Sequence, residues 1–363
     1  MTKKIIDPYG SELVEDYVKI IKDFGLSSFN PKNYPNPNRL MRRGVVFAER
    51  DMKIVLKAME EKKPFYVLSG IMPTAKKVHF GTKMVVENIA YFQKQGAKTF
   101  CLVADLESAA ARGVSLEEAR KNALEFQIPA YIALGLDPKK TIFYFQSENK
   151  EVIKLAYEAS NRITLNEFRA VYGKADPARI VSALTQIGDI LYPQLKERMP
   201  GVIPVGPDQD AHIRLTRDAA RRMKDKKFFL PSGLYHKFTP SLDGEIKMSK
   251  SRPQSCIDLP EDPKKAAKKI MRAKTGGRET IEKQRKLGGE PEKCIIFELY
   301  KQHLIEDDKE LQKIYNNCKS GKLLCGEDKQ NCCKLMAKFM NDLTKNIEKA
   351  KKNISKLNFI TFK

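Results

Sequence analysis

His79 and Gly81 in the run VHFGTK, and Lys247, Ser249 and Lys250 in the run KMSKS (247–251), are residue types that handle phosphate. A glycine at the start of a helix lets an anion approach the backbone amides there, and the helix dipole favours the charge. His79 adds a donor that can point at the same anion; alone, it reads equally well as an ordinary surface or core histidine. Two lysines and two serines within five residues can fold over a pyrophosphate and hold its developing charge, although lysine–serine runs also form plain basic turns. The two runs gain weight together. One follows an early strand and the other follows the last strand of the same α/β stretch, so both belong above the carboxyl ends of the strands, where open sheets bind ligands. A third run, TQIGDI, sets Gln186 and Asp189 three apart on one face of a helical turn, unless Asp189 serves only as a helix cap or ion-pair partner. Cys294, Cys318 and Cys325 are spaced C-x23-C-x6-C, with Asp328 just beyond and Cys332 and Cys333 available as substitutes. They read either as metal ligands or as free, partly buried thiols.

The elements that must position these groups are legible in outline. PFYVLSG is a short apolar run ending in glycine, the mark of a buried strand. KVHFGTKMVVENIAYFQKQG then leads through a loop into an amphipathic helix with Gly96 past its end. AKTFCLVADLE and KTIFYFQS repeat the strand signal, and SLEEARKNALEFQIPAYIALG opens on Ser115 and Glu118, a capping-box spacing. ERDMKIVLKAMEEKK predicts a helix stopped by Pro64, residues 150–195 read as mostly helical, and GVIPVGPDQDAHIRLTRDAARRM is a further strand, turn and helix. Strands alternating with helices predict a doubly wound, Rossmann-like parallel sheet. After Pro260 the pattern becomes long lysine-rich helices, with no clear strand until the last few residues. The expected division is an N-terminal extension (1–45), an α/β domain (46–255) and an all-α domain (256–363).

Lys and Arg outnumber Asp and Glu by 67 to 45, a net charge of +22 that leans toward the C-terminal third. Such an excess suits a polyanion such as nucleic acid, or else a lysine-rich proteome. EDPKKAAKKIMRAKTGGR starts a helix at Asp262 and Pro263, and its Lys264, Lys265, Lys268, Lys269 and Arg272 would then line one side. No apolar run approaches the ~20 residues of a membrane span, and the N-terminus is not a secretory signal. A cytoplasmic protein is expected, with its seven cysteines as thiols or ligands rather than a disulfide framework.

HFGT (79–82) and KMSKS (247–251) resemble the two signatures of the class I aminoacyl-tRNA synthetases, with Thr82 standing where many members have a second histidine. VGPDQDAHIRLTRD (205–218), LSGIMPT (68–74) and TGGRETIEKQRKLGG (275–289) are similar to the tryptophanyl-tRNA synthetases of the archaeal and eukaryotic branch, and the resemblance extends over nearly the whole chain. It implies a Rossmann-like catalytic domain followed by an all-α anticodon-binding domain, and ATP-dependent formation of tryptophanyl-adenylate with transfer to tRNA(Trp). The alternatives are a tyrosine–tRNA ligase and a non-catalytic tRNA-binding paralogue. Catalytic roles fall to His79, Lys247 and Lys250, and ATP contacts to Gly81, Thr82, Gly206, Asp208, Met248 and Ser249. Gln186, Gln209 and Glu107 would hold the amino acid's ammonium and carboxylate. Eukaryotic members read the indole nitrogen with a Tyr and a Gln where this chain has Leu68 and Leu102, so the resemblance leaves Asp189 to accept the indole N–H beside the apolar wall of Leu68. An acceptor-only carboxylate suits the donor-only indole. The resemblance further implies Mg2+, a homodimer, and an iron–sulfur cluster or zinc on Cys294, Cys318, Cys325 and Asp328.

Overall fold

The computed structural model describes residues 17–245, 247–248 and 252–360. The seven strands among the described residues are β1 (Ser27–Ser28), β2 (Val46–Arg50), β3 (Tyr66–Ile71), β4 (Lys98–Val103), β5 (Thr141–Phe145), β6 (Gly201–Val205) and β7 (Ser232–His236). They form one sheet in the order β1-β2-β7-β6-β3-β4-β5. The five strands from β7 to β5 run parallel, and β2 adds antiparallel to β7. The core strands are apolar on both sides because helices cover both faces, as a parallel sheet requires. Tyr66, Leu68, Phe100, Leu102 and Tyr144 pack to one face, and Val67, Ile71, Cys101, Val103, Phe143 and Phe145 to the other.

From β3 the chain winds outward through β4 to β5, then returns to the other side of β3 for β6 and β7. The order reverses between β3 and β6. Their ladder covers only Tyr66↔Gly201 and Val67↔Val202, which leaves a crevice between the carboxyl ends.

The helices among the described residues begin with α1 (Tyr17–Phe24), α2 (Arg39–Arg42), α3 (Lys53–Glu60), α4 (Phe80–Lys94), α5 (Asp105–Arg112), α6 (Leu116–Asn122) and α7 (Ile128–Ala133). α8 (Lys150–Ser160), α9 (Leu165–Tyr172) and α10 (Pro177–Leu191) lie between β5 and β6, and α11 (Asp210–Arg222) follows β6. α12 (Pro263–Met271), α13 (Ile281–Leu287), α14 (Ile295–Leu299), α15 (Asp308–Lys319) and α16 (Cys325–Lys351) make up the later region. The run read as a helix from Glu49 begins instead with β2. Asp51, at φ 49°, turns the chain between strand and helix.

The helical region shares a core with the sheet region: Val78, Phe80, Phe126 and Ala130 pack with Ile257, Ile296, Leu299, Tyr300, Met336 and Met340. A second link comes from the segment around α2. The Arg43 guanidinium donates to the carbonyls of Lys301, Ile305 and Glu306 at 2.8, 2.7 and 2.9 Å, and to Asp308 at 2.7 Å. It satisfies carbonyls that a helix end leaves open. Residues 358–360 return to the sheet beside β5, where the Phe143 N–H donates to Asn358 O at 2.9 Å and the Ile360 N–H to Phe143 O at 2.9 Å.

Candidate functional site

The crevice between β3 and β6 is flanked by two helix starts. α4 begins after β3 with His79 as its N-cap, and the His79 Nδ1 accepts from the Thr82 N–H at 3.2 Å. His79 is exposed. A Cβ at position 81 would lie 3.0 Å from the His79 ring, so glycine is what lets the imidazole fold onto its own helix start. After β6 the turn Pro207–Gln209 leads into α11. A Cβ at Gly206 would lie 2.7 Å from Asp208 Oδ1, and the Gln209 N–H donates back to Gly206 O at 3.1 Å. Gly206 lets the carboxylate of Asp208 turn back over the strand end.

Lys247 reaches this turn. Its ammonium sits 3.0 Å from Asp208 Oδ2 and 4.6 Å from the centre of the Phe238 ring. Met248 is held next to it, its N–H donating to Thr239 O at 3.0 Å. Ser249 and Lys250 lie outside the described residues. The structure sets His79, Gly81 and Thr82 at the start of α4, packs Met248 against the cluster that holds Phe80, and pairs Lys247 with Asp208 beside Gly206 at the turn after β6. Asp210, next to this turn, has a different task. It is fully buried, takes the Arg50 guanidinium at 2.8 Å and the Tyr235 hydroxyl at 2.5 Å, and fastens α11 to the sheet.

A second polar group lies on the face of the sheet covered by α10. Asp189 is 1% exposed. Its Oδ1 accepts from the Tyr144 hydroxyl at 2.9 Å and its Oδ2 from the Gln146 amide at 2.6 Å. The same Gln146 amide donates to Glu107 Oε1 at 2.7 Å, and Gln186 donates to Glu107 Oε2 at 2.5 Å. Burial pushes the Asp189 carboxyl well above its ordinary value. It raises Glu107 to about 7, against the lowering effect of the two amide bonds. Leu68 and Leu102 are buried on this face. Glu107, Gln186, Asp189 and Leu68 thus gather on one side of the sheet, while Gln209 stays with the Asp208 turn. Tyr144 and Gln146 were not singled out in the sequence. They lie in KTIFYFQS, whose strand signal marks core and says nothing of a polar task; the only cue is a Tyr and a Gln two apart, which alternation places on the same face.

Asp328 takes the Tyr300 hydroxyl on Oδ1 at 3.0 Å, and burial raises its carboxyl to about 6. The Cys325 thiol pairs with the Gln284 amide at 3.4–3.5 Å. Burial pushes Cys318 up to about 11, and Cys294, Cys325 and Asp328 lie close enough to it for their charges to add to that rise. Cys332 is buried in the core and Cys333 donates to Ala267 O at 3.7 Å, so neither substitutes. Among the described residues no group of three or more His, Cys, Asp or Glu is placed to hold a metal ion. Iron–sulfur or zinc ligation by Cys294, Cys318, Cys325 and Asp328 therefore has no support among the described residues. Cys318 closes on Gly289 and Cys325 on Gly277, each of which has no room for a Cβ, so they seat the TGGRETIEKQRKLGG loop on α15 and α16.

A family model described as "tRNA synthetases class I (W and Y)" matches residues 59–341. A tryptophan–tRNA ligase of Hyperthermus butylicus is 42% identical over 362 residues, covering 96% of each chain. That of Methanocaldococcus jannaschii is 42% identical over 356 residues, covering 95% of this chain and 96% of its own. The crystal structure of tryptophanyl-tRNA synthetase from Aeropyrum pernix superposes with a TM-score of 0.89 at 42% identity, covering 98% of this chain and all of that one. By the family match and by these relatives, the chain belongs to the class I tRNA synthetases of the tryptophan and tyrosine group.

Proposed function

We propose that the chain is a tryptophan–tRNA ligase: it activates tryptophan with ATP to tryptophanyl-adenylate and passes the acyl group to tRNA(Trp). The observation that carries the reading at the site is the pairing of Lys247 with Asp208 at the turn after β6, and the buried Glu107–Gln146–Asp189 group supplies a polar lining for the amino acid. The curated relatives above carry that name over almost their full length.

In this reading the amides at the α4 start, with His79 and Thr82, face the ATP phosphates, and Asp208 faces the ribose. Lys247 and Lys250 hold the leaving pyrophosphate. Lys247 pairs with Asp208 at 3.0 Å, and the same ammonium suits the charged oxygens of a pyrophosphate. Glu107 and Gln186 hold the α-ammonium of tryptophan, Gln209 its carboxylate, and Asp189 accepts the indole N–H against Leu68. No side-chain nucleophile is needed, because the substrate's carboxylate attacks the α-phosphate and the protein supplies position and charge. Mg2+ rides on the ATP phosphates, as the class implies.

Residues 1–45 then form an extension, 46–255 the catalytic domain and 256–363 the tRNA-binding domain; the change from a β-containing to an all-helical element order after β7 supports this division. A homodimer fits the exposed Tyr157 (77%), Val181 (58%) and Leu165 (47%) on α8–α10. Among the described residues no helix is long and apolar enough to cross a membrane, and a cytoplasmic address follows from the tRNA substrate.

The test is ATP–pyrophosphate exchange with tryptophan and with tyrosine in parallel. Tryptophan-dependent exchange is expected. Exchange with tyrosine alone makes the protein the sister enzyme, and no exchange with either makes it a tRNA-binding relative without activity.

A further inference from the structure

His303 lies in the turn of helix that follows α14 and is 3% exposed. It belongs to the helical region, yet both of its outward contacts are with segments of the proposed ATP site. Its ring stacks on Phe80, the first residue of α4, with centroids 4.1 Å apart and planes 24° apart. Its Nε2 hydrogen-bonds to the Thr239 hydroxyl at 2.9 Å. Thr239 in turn accepts the Met248 N–H on its carbonyl at 3.0 Å. One imidazole therefore touches the residue next to His79 and, through a single threonine, the residue next to Lys247. The position is itself held in place. The Arg43 guanidinium fastens the carbonyls of Lys301 and Ile305 on either side, and Phe80 also stacks toward Phe339 of α16 at 6.4 Å.

A buried polar side chain is an expensive choice where Phe or Leu would fill the same space, and His303 leaves its Nδ1 without a partner. What the imidazole offers beyond a ring is the bond to Thr239. Loss of that bond frees the segment that anchors Met248 while the stack on Phe80 can remain.

We propose that His303 is a positioning residue for adenylate formation: it sets the spacing between the α4 start and the Lys247–Met248 segment from the helical region. The inference rests on the ligase reading above. It also means that the seating of the helical region is felt at both phosphate-handling segments through one side chain.

The test pairs His303→Phe, which keeps the stacked ring and drops the bond, with Thr239→Val, which drops the bond from the other end. ATP–pyrophosphate exchange is measured well below each variant's melting temperature, beside equilibrium binding of tryptophan. Each single variant is expected to lower the exchange kcat about three- to tenfold, the scale of one hydrogen bond. Tryptophan binding should be unchanged, and the double variant should be no slower than the slower single, because both remove one interaction. Thr239→Ser, which restores a hydroxyl, should recover the wild-type rate. If His303→Phe folds poorly, the Val and Ser variants at 239 decide alone. Wild-type kcat and ATP KM in Thr239→Val overturn the proposal, and so does a parallel loss of tryptophan affinity, which marks general distortion. An unmutated protein with no tryptophan-dependent exchange sinks the ligase reading instead, so the two failures are told apart.

Discussion

Glu107 shows how a single residue carries a testable charge state. Burial lifts its carboxyl from the ordinary 4.5 to about 7. A raised folded-state value means that the protonated form suits the empty fold; its contribution to stability is complete below about 4.5 and is lost as the pH climbs through about 7. Tryptophan's ammonium reverses the preference, because it pairs with the carboxylate. Tryptophan affinity should therefore rise with pH through about 7 and level off above it, and Glu107→Gln should flatten the profile. The chain contains no tryptophan of its own, so fluorescence of the bound ligand reports binding directly. A flat wild-type profile between about pH 5.5 and 8.5 refutes the assignment. Asp189→Ala leaves the indole N–H, the Tyr144 hydroxyl and a Gln146 amide hydrogen short of an acceptor, and should weaken tryptophan binding by about 1–3 kcal/mol. Tyr144→Phe removes one bond and should cost about 0.5–1.5 kcal/mol. If Asp189→Ala binds tryptophan as the wild type does, another group reads the indole. Of this set the sequence offered Asp189, Gln186 and Glu107 through resemblance. The two residues that hold Asp189 in place were hidden because they lie 43 and 45 positions away, on and just past a strand whose other residues speak only of core.

At the scale of elements, α12 separates what helical spacing can tell from what it cannot. Asp262 caps the helix, accepting the Lys265 N–H at 2.9 Å, and Pro263 opens it, as the sequence predicts. Lys264, Lys265, Lys268 and Arg272 are exposed. Lys269 is not on that face: its ammonium donates to Cys256 O at 2.7 Å and Glu261 Oε1 at 2.5 Å. Spacing put it beside the others, and only the packing partner reveals it as structural. Lys265→Glu with Lys268→Glu should weaken charging of tRNA while leaving ATP–pyrophosphate exchange intact, and each lost phosphate contact should reduce the salt slope of tRNA binding by about one unit. Unchanged charging at moderate salt returns this face to solvent. The glycine pairs of TGGRETIEKQRKLGG have a packing reason the motif alone does not state. Gly288 sits at φ 72°, and a Cβ there would overlap the Lys319 carbonyl. Gly288→Ala should destabilise the protein by about 2 kcal/mol or more, since a strained φ adds to the clash; a melting temperature within error of the wild type removes the loop's structural role. Strands β3 to β6 were legible because each is a short apolar run bounded by a turn signal. β2 was not, because its polar end, Glu49 and Arg50, abuts a helical pattern that claims both residues.

For the whole molecule, the sequence conveyed the class of sheet and the helical region that follows it. It could not convey how the halves are joined. That joint is made by contacts some 260 positions apart, such as Arg43 to the Lys301 and Ile305 carbonyls, for which local periodicity carries no signal. The return of residues 358–360 to β5 is another such contact, and it has a consequence beyond the reaction. β5 ends the sheet, and its TIFYF run would present a row of open backbone groups beside apolar rings, a template for pairing with another molecule. Asn358 and Ile360 occupy both groups of Phe143, and the Phe359 ring lies 5.6 Å from Phe143 and 5.8 Å from Phe145. A chain ended after residue 357 should keep its exchange rate per soluble molecule and yet scatter light on warming or concentration well before the full chain does; equal clarity of the two solutions defeats the idea. A short terminal strip that pairs with the sheet edge rather than with the proposed site would then decide how long the enzyme stays in solution.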